Sequence, residues 1–123
     1  MELLAVYGTL MDGQSYEGRP DVEKLLRSRG PCRIPGRLHD LGRGYPGLVA
    51  GDKGEVSGEL YEVADPRTLG LLDAYEDDEY ERRRVRLIAP DETAWVYVYV
   101  GDSPGEAIDD GDWRAFLQIR GER

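Results

Sequence analysis

Apolar and polar residues alternate with a period of two over much of this chain, which predicts strands rather than helices as its main elements. The clearest case runs from Thr93 to Val100, where Trp95, Tyr97 and Tyr99 fall on one face and Val96, Val98 and Val100 on the other. Tyr80 to Ala89 alternates too, and Pro90, Asp91 and Glu92 between the two runs predict a hairpin that pairs them antiparallel. In Gly54 to Val63 the set Val56, Gly58, Leu60 and Glu62 opposes Ser57, Glu59, Tyr61 and Val63, again extended. Leu3 to Leu10 opens as a short apolar run, with Leu3, Ala5 and Tyr7 opposite Leu4 and Val6, and predicts a buried strand that stops at Gly8 and Thr9. Cys32 to Leu41 reads as extended and Leu48 to Ala50 as a short strand.

Three segments break that period. From Asp21 to Arg29 the residues Val22, Leu25, Leu26 and Arg29 have helical spacing, with Gly30 and Pro31 as the stop. Asp65 and Pro66 supply a side-chain cap and a first-turn proline for a helix that carries Leu69, Leu72, Tyr75 and Glu76 on one face. Asp112 can cap a last helix in which Trp113, Phe116 and Leu117 share a face, after an acidic Gly/Pro loop from Gly101 to Gly111. The chain has 123 residues and neither a linker nor a repeat, so residues 1–123 are expected to form one domain. Strands outnumber helices without alternating regularly with them, which predicts an α+β fold with a curved or barrel-like sheet, antiparallel or mixed.

Charge and composition narrow the function. Sixteen Lys and Arg against 25 Asp and Glu give a net charge of −9, a field that repels phosphate backbones, so no nucleic-acid partner is expected. The basic run Arg82, Arg83, Arg84 and Arg86 leads into alternating Val85, Leu87 and Ala89 and reads as the solvated face of a strand. One cysteine, Cys32, excludes an internal disulfide; one histidine, His39, makes a His-rich metal site or a serine triad hard to build. No apolar stretch is long enough to span a membrane and the opening residues lack the pattern of a secretory signal, so a soluble cytoplasmic protein is expected, with no membrane partner.

Three familiar patterns fail on context. Gly42, Gly44 and Gly47 have dinucleotide-loop spacing, yet Pro46 removes a donor there and a short strand follows instead of a phosphate-cradling helix. Ser57 in Gly-Glu-Val-Ser-Gly lies mid-strand with no strand-to-helix turn after it, which gives no support to a hydrolase triad. Asp73, Glu76, Asp77, Asp78 and Glu79 are acidic enough to invite a hard cation, but their spacing is not that of a calcium loop; most of these acids are expected to face solvent and no metal site is expected.

Two features remain. Glu76 follows Leu72 by four positions and Leu69 by seven, so its carboxylate projects from the helix face that packs on the core. Desolvation, the neighbouring acids and the negative end of the helix dipole would all favour its protonated form, which makes it a candidate general acid/base; the alternative is a boundary residue past a frayed helix end. At the end of the first strand, Tyr7, Gly8, Thr9 and Leu10 form a turn whose backbone N–H groups can converge on an anion, with the Thr9 hydroxyl beside them. The alternative there is an ordinary turn after a strand.

The order and spacing of the pieces together resemble the gamma-glutamylcyclotransferase-like family, which includes gamma-glutamylamine cyclotransferases and AIG2-like proteins. The likeness is carried by V-Y-G-T-L at Val6 to Leu10, Y-P-G-L-V at Tyr45 to Val49, G-E-L-Y-E-V at Gly58 to Val63 and L-D-A-Y-E at Leu72 to Glu76. It continues through Tyr80 with Arg82, A-W-V-Y-V-Y at Ala94 to Tyr99, and G-D-W at Gly111 to Trp113. The resemblance implies a small mixed, mainly antiparallel β-barrel with flanking short helices, a substrate loop at Tyr7 to Leu10, and a catalytic glutamate at Glu76. It also implies the release of 5-oxoproline from a gamma-glutamyl compound by attack of the substrate's own α-amine on its γ-carbonyl, a reaction that needs no cofactor. Tyr80 and Tyr97 are carried over as pocket walls or hydroxyl donors, the alternative being plain aromatic packing. Asp77 follows Glu76 where the family has Gly, a departure in the loop that aims the carboxylate. The competing reading is a barrel that binds small ligands or partner proteins without turning them over.

Overall fold

The computed structural model describes residues 2–8, 22–42, 45–51, 53–76, 78–101, 105–108 and 111–121. In chain order the elements are β1 (Glu2–Val6), α1 (Val22–Leu25), β2 (Arg27–Pro35), β3 (Arg37–Asp40), β4 (Pro46–Val49), β5 (Glu55–Val63), α2 (Arg67–Glu76), β6 (Tyr80–Arg86), β7 (Thr93–Tyr99), β8 (Glu106–Ile108) and α3 (Trp113–Gly121). The fold is α+β and dominated by one sheet of eight strands in the order β2-β5-β1-β7-β4-β3-β8, with β6 also paired to β7. Most ladders are antiparallel; β1 and β4 each run parallel to β7.

β7 is the centre of this arrangement, as its two apolar faces require. Val96 and Val98 are buried on one side and Tyr97 and Tyr99 on the other, the pattern of a strand covered on both faces. The predicted hairpin is present: β6 pairs antiparallel with β7 from Tyr80↔Tyr99 through Arg82↔Tyr97 and Arg84↔Trp95 to Arg86↔Thr93. β6 stops earlier than its alternation suggests, because past Arg86 the chain turns to a different strand. Ile88 N–H donates to the Arg33 carbonyl (2.9 Å) and Arg33 N–H to that of Ala89 (2.8 Å), so β2 is brought round to the end of β6. The sheet is therefore curled but, among the described residues, not closed, and the expected barrel is an open sheet.

Two other boundaries depart from expectation. The helix read over Asp21 to Arg29 is a single turn, Val22–Leu25, and the chain from Arg27 instead pairs with β5 beginning at Arg27↔Glu62. One helical turn closes too few hydrogen bonds to stand alone, whereas a nine-residue ladder is available; Gly30, at φ 102°, sits at the register shift after Ser28 rather than ending a helix. Within the Gly101 to Gly111 loop, Glu106–Ile108 forms β8 on the edge of β3, through Leu38↔Ile108. Three residues hold too little of a period to be recognised.

The two capped helices form as expected. Arg67 N–H donates to Asp65 Oδ1 (3.0 Å) at the start of α2, and Leu69 and Leu72 go into the core. Ala115 N–H donates to Asp112 Oδ1 (3.1 Å) at the start of α3; Trp113 is buried and stacks on Phe116, while Leu117 faces outward, contrary to the shared face expected of the three. Gly42 lies in a left-handed turn (φ 76°) with its N–H given to Asp40 Oδ1, and β4 rather than a helix follows. Ser57 is exposed in the middle of β5. Cys32 is buried, and burial pushes its thiol up to about 12. Among the described residues no helix is long and apolar enough to cross a membrane.

Candidate active site

A strand has two hydrogen-bonding edges, and β6 takes one edge of β7 along its whole length. β1 and β4 must then share the other: β1 meets β7 at Leu4↔Trp95 and β4 meets it at Leu48↔Val98. Where the two diverge the ladder has a gap, and the side chain of Tyr7 fills it. The Tyr7 hydroxyl donates to the Tyr97 carbonyl (2.5 Å) and accepts from Leu48 N–H (3.0 Å), so one side chain satisfies a buried donor and a buried acceptor that no strand reaches. Gly8 comes next. A Cβ on it would lie 2.9 Å from Cδ and Cγ of Pro46, so the chain leaving β1 passes the start of β4 at a distance only glycine permits.

Glu76, the last residue of α2, faces this seam. It retains part of its surface, yet the crowding of its carboxyl removes enough water to push its pKa from an ordinary 4.5 up to about 8. No hydrogen bond or ion pair to a described residue offsets that desolvation. The neighbouring acids, expected to contribute, are not the cause: burial is. The negative charge of Glu76 in turn reaches three tyrosine hydroxyls, those of Tyr7, Tyr80 and Tyr97, and helps burial hold each above its ordinary value. Tyr7, just past β1, Tyr80 of β6 and Tyr97 of β7 thus all lie within electrostatic reach of the end of α2.

Each of these hydroxyls has one proton, and each proton already has an acceptor. Tyr7 donates to the Tyr97 carbonyl (2.5 Å), Tyr80 to the Pro46 carbonyl (2.5 Å), and Tyr97 to Asp73 Oδ1 (2.6 Å). Asp73 is fixed from its other side by Arg82, whose Nε lies 2.9 Å from Oδ1 and whose Nη2 lies 3.3 Å from Oδ2. Arg82 and Arg84 both lie over the Trp95 ring, at 4.3 and 4.6 Å from its centroid, and Trp95 Nε1 donates to Glu2 (2.7 Å). The basic run is therefore not a simple solvated face. Arg82 is half-buried and engaged, while Arg83 and Arg86 are exposed and paired with Glu81 and Asp91. An open cavity of about 570 Å³ lies beside this cluster, lined by Asp73, Asp78, Tyr80, Arg82, Tyr97 and Val100 among others. Glu76 is not part of its lining, although Tyr80 and Tyr97, which are, both feel its charge.

A sequence profile of the family described as gamma-glutamyl cyclotransferase, AIG2-like, matches residues 4–115.

The chain belongs to the gamma-glutamyl cyclotransferase, AIG2-like family.

The gamma-glutamylcyclotransferase family protein YtfP of Escherichia coli is 41% identical over 110 residues, covering 88% of this chain and 92% of that protein. The solution structure of E. coli YtfP matches with a TM-score of 0.67 at 35% identity, over 90% of this chain and 95% of that one. The crystal structure of an AIG2-like protein from mouse matches with a TM-score of 0.67 at 27% identity, over 85% of this chain and 80% of that one.

Of the residues singled out from the AIG2-like motifs, Tyr7, Gly8, Glu76, Tyr80 and Tyr97 are brought together; Thr9 and Leu10 lie outside the described residues, as does Asp77. Sequence reasoning missed the Asp73–Arg82 pair, grouping one with solvent-facing acids and the other with a solvated strand face. The register of the hairpin held the signal, since Arg82 is the cross-strand partner of Tyr97. It also gave no role to Pro46 and Leu48, whose backbone groups receive Tyr80 and anchor Tyr7.

Proposed function

We propose that this chain is a cyclotransferase that releases 5-oxoproline and a free amine from a gamma-glutamyl amine or amino acid, with Glu76 as the general acid/base. The observation that carries the reading is a carboxylate at the edge of the core, desolvated and without a compensating partner among the described residues, within electrostatic reach of the Tyr7 hydroxyl. Such a group has no structural use for its charge, and its pKa near 8 suits proton exchange with an amine near neutral pH. Family membership and the name of the E. coli relative support the reaction class.

In this mechanism Glu76 takes a proton from the substrate's α-ammonium. The freed amine nitrogen attacks the γ-carbonyl carbon, and a new C–N bond closes a five-membered ring. The old γ-amide C–N bond then breaks as Glu76 returns the proton to the departing nitrogen, and the ring nitrogen gives up its second proton, which the released amine takes up as its ammonium form. Nucleophile and electrophile belong to one molecule, so holding the chain folded supplies much of the acceleration. The segment from Tyr7 to Leu10 grips the gamma-glutamyl head group, and backbone N–H groups there offset the charge that develops on the carbonyl oxygen. Tyr80 and Tyr97 form the wall beside Glu76.

The test is a screen of gamma-glutamyl amines, gamma-glutamyl amino acids and glutathione for 5-oxoproline release by the purified chain. Release from at least one class is expected. No release from any of them would favour a protein that binds on this fold without turnover.

A further inference from the structure

The buried side chains of α2, Leu69 and Leu72, both lie ahead of its last turn, the turn that ends in Glu76. Within that turn Tyr75 is only partly buried against the core. Apolar contacts of this kind hold a helix down but let it slide and roll; directional bonds do not. Asp73 supplies them. Its Oδ1 accepts from the Tyr97 hydroxyl (2.6 Å) and from Arg82 Nε (2.9 Å), and its Oδ2 accepts from Arg82 Nη2 (3.3 Å). Arg82 and Tyr97 are cross-strand partners on β6 and β7, so two adjacent strands converge on one carboxylate of the helix. A second acceptor near the Tyr97 hydroxyl, the Leu69 carbonyl at 3.5 Å, also belongs to α2. Stability is a poor reason for the arrangement. Asp73 keeps 42% of its side chain exposed, where water screens an ion pair. Aspartate is also a weaker helix former than alanine, and its charge opposes the dipole in the second half of a helix.

We propose that Asp73 is a positioning residue for the cyclotransferase reaction: clamped by Tyr97 and Arg82, it aims the last turn of α2 and with it Glu76. The assignment rests on the cyclotransferase reading of Glu76. Asp73 and Glu76 are three positions apart, about 4.5 Å along the helix axis, so a tilt at the clamp carries directly to the Glu76 carboxylate. Displacing a reacting group by about 1 Å is enough to cost about 10² in rate. The clamp also reaches the other side of the site. The main-chain carbonyl of Tyr97 accepts from the Tyr7 hydroxyl (2.5 Å), and Tyr7 leads directly into Gly8. One residue of β7 therefore ties down both the helix that carries the base and the strand end that opens the head-group segment.

Two measurements on the purified chain test this, one with turnover and one without. With a substrate that the parent accepts, Asp73→Ala should lower kcat by about 10- to 100-fold and leave KM within about threefold. Asp73→Asn, which can still accept from Tyr97, should recover most of that loss. Tyr97→Phe should lower kcat by about three- to tenfold, and the double variant Asp73→Ala/Tyr97→Phe should be no slower than Asp73→Ala alone, because the hydroxyl acts through the carboxylate. Amide hydrogen exchange needs no substrate: residues 74–76 should exchange about tenfold faster in Asp73→Ala than in the parent, with the amides of β7 unchanged. Intrinsic helix effects predict the opposite sign, since alanine is the better helix former and loses the unfavourable charge. Exchange at or below the parent's rate would overturn the clamp. So would a loss confined to KM, or losses in the two single variants that multiply in the double one, either of which makes these side chains substrate contacts. A parent that turns over while Asp73→Ala keeps its kcat ends the positioning role and spares the cyclotransferase reading. A parent that releases 5-oxoproline from nothing, with faster exchange in Asp73→Ala, ends that reading and leaves the clamp on the helix.

Discussion

Asp73 and Glu76 lie one helical turn apart on α2 and have opposite surroundings. Asp73 accepts from Arg82 at 2.9 and 3.3 Å and from the Tyr97 hydroxyl at 2.6 Å. Glu76 has three tyrosine hydroxyls within electrostatic reach, but all three have given their protons to other oxygens. The first carboxylate has a cation and a hydroxyl donor that fix its position; the second has neither among the described residues. What separates the two carboxylates here is the direction in which neighbouring protons point, not the number of polar neighbours.

The sharpest way to break this contrast is to neutralise each acid in turn. If 5-oxoproline release is found, Glu76→Gln should lower turnover by about 10² to 10⁴ while the chain stays folded, because Gln cannot accept the ammonium proton. Asp73→Asn should lower it by about tenfold or less, since Asn can still accept from Tyr97 although it loses the ion pair. Comparable losses in both variants, measured by steady-state kinetics on folded protein, would erase the distinction.

Next in size is the pH dependence. A general base with a pKa of about 8 predicts that kcat/KM rises with pH along an acid limb near 8, rather than near the ordinary 4.5. Stability should move the other way. Because the folded-state pKa of Glu76 is raised, the folded chain binds more protons than the unfolded one between about 4.5 and 8, and this group's contribution to stability falls as pH climbs through that window. Below 4.5 the group is protonated in both states and the contribution is intact. Glu76→Gln should remove this decline, so denaturant midpoints of variant and parent should diverge in the variant's favour toward pH 8.

The smallest effect belongs to the anchoring pair. Arg82→Met should destabilise the fold by about 1 kcal/mol, a modest figure because Asp73 keeps 42% of its side chain exposed and water can replace part of what the guanidinium gave. The same change leaves the Asp73 charge unbalanced near Glu76, so the acid limb of kcat/KM should move to higher pH. A limb that stays in place would confine Arg82 to a structural role.

How much of this was legible beforehand depended on whether the signal was periodic. β5, β7 and the pairing of β7 with β6 were written in alternation, and α2 in the capping residue Asp65 and the spacing of Leu69 and Leu72. β8 and the true start of β2 were not, because each exists by pairing with an edge that the sequence does not display locally. The curled but open sheet follows from the same cause: it depends on where Arg33 meets Ala89, a long-range bridge without a local signature. In the site, the spacing of Glu76 from Leu72 marked it as a core-facing acid, and the resemblance drew Tyr7, Gly8, Tyr80 and Tyr97 to it. The proton directions were invisible because a tyrosine's acceptor is set by tertiary contact. Asp73 was discounted because a run of acids reads as solvated when its cation lies nine positions away on another element.

The way Tyr7 closes the gap between β1 and β4 has a consequence for precision. Its hydroxyl is pinned to β4 through Leu48 and to β7 through Tyr97, and Tyr80 is pinned to β4 through Pro46. The departure point of the chain beyond Gly8 and the walls beside Glu76 are therefore measured from a common datum. None of these three hydrogen bonds involves the outer strands, β8 and β3 on one flank or β2 and β5 on the other. An assembly referenced this way holds its internal tolerances without requiring the whole sheet to be rigid.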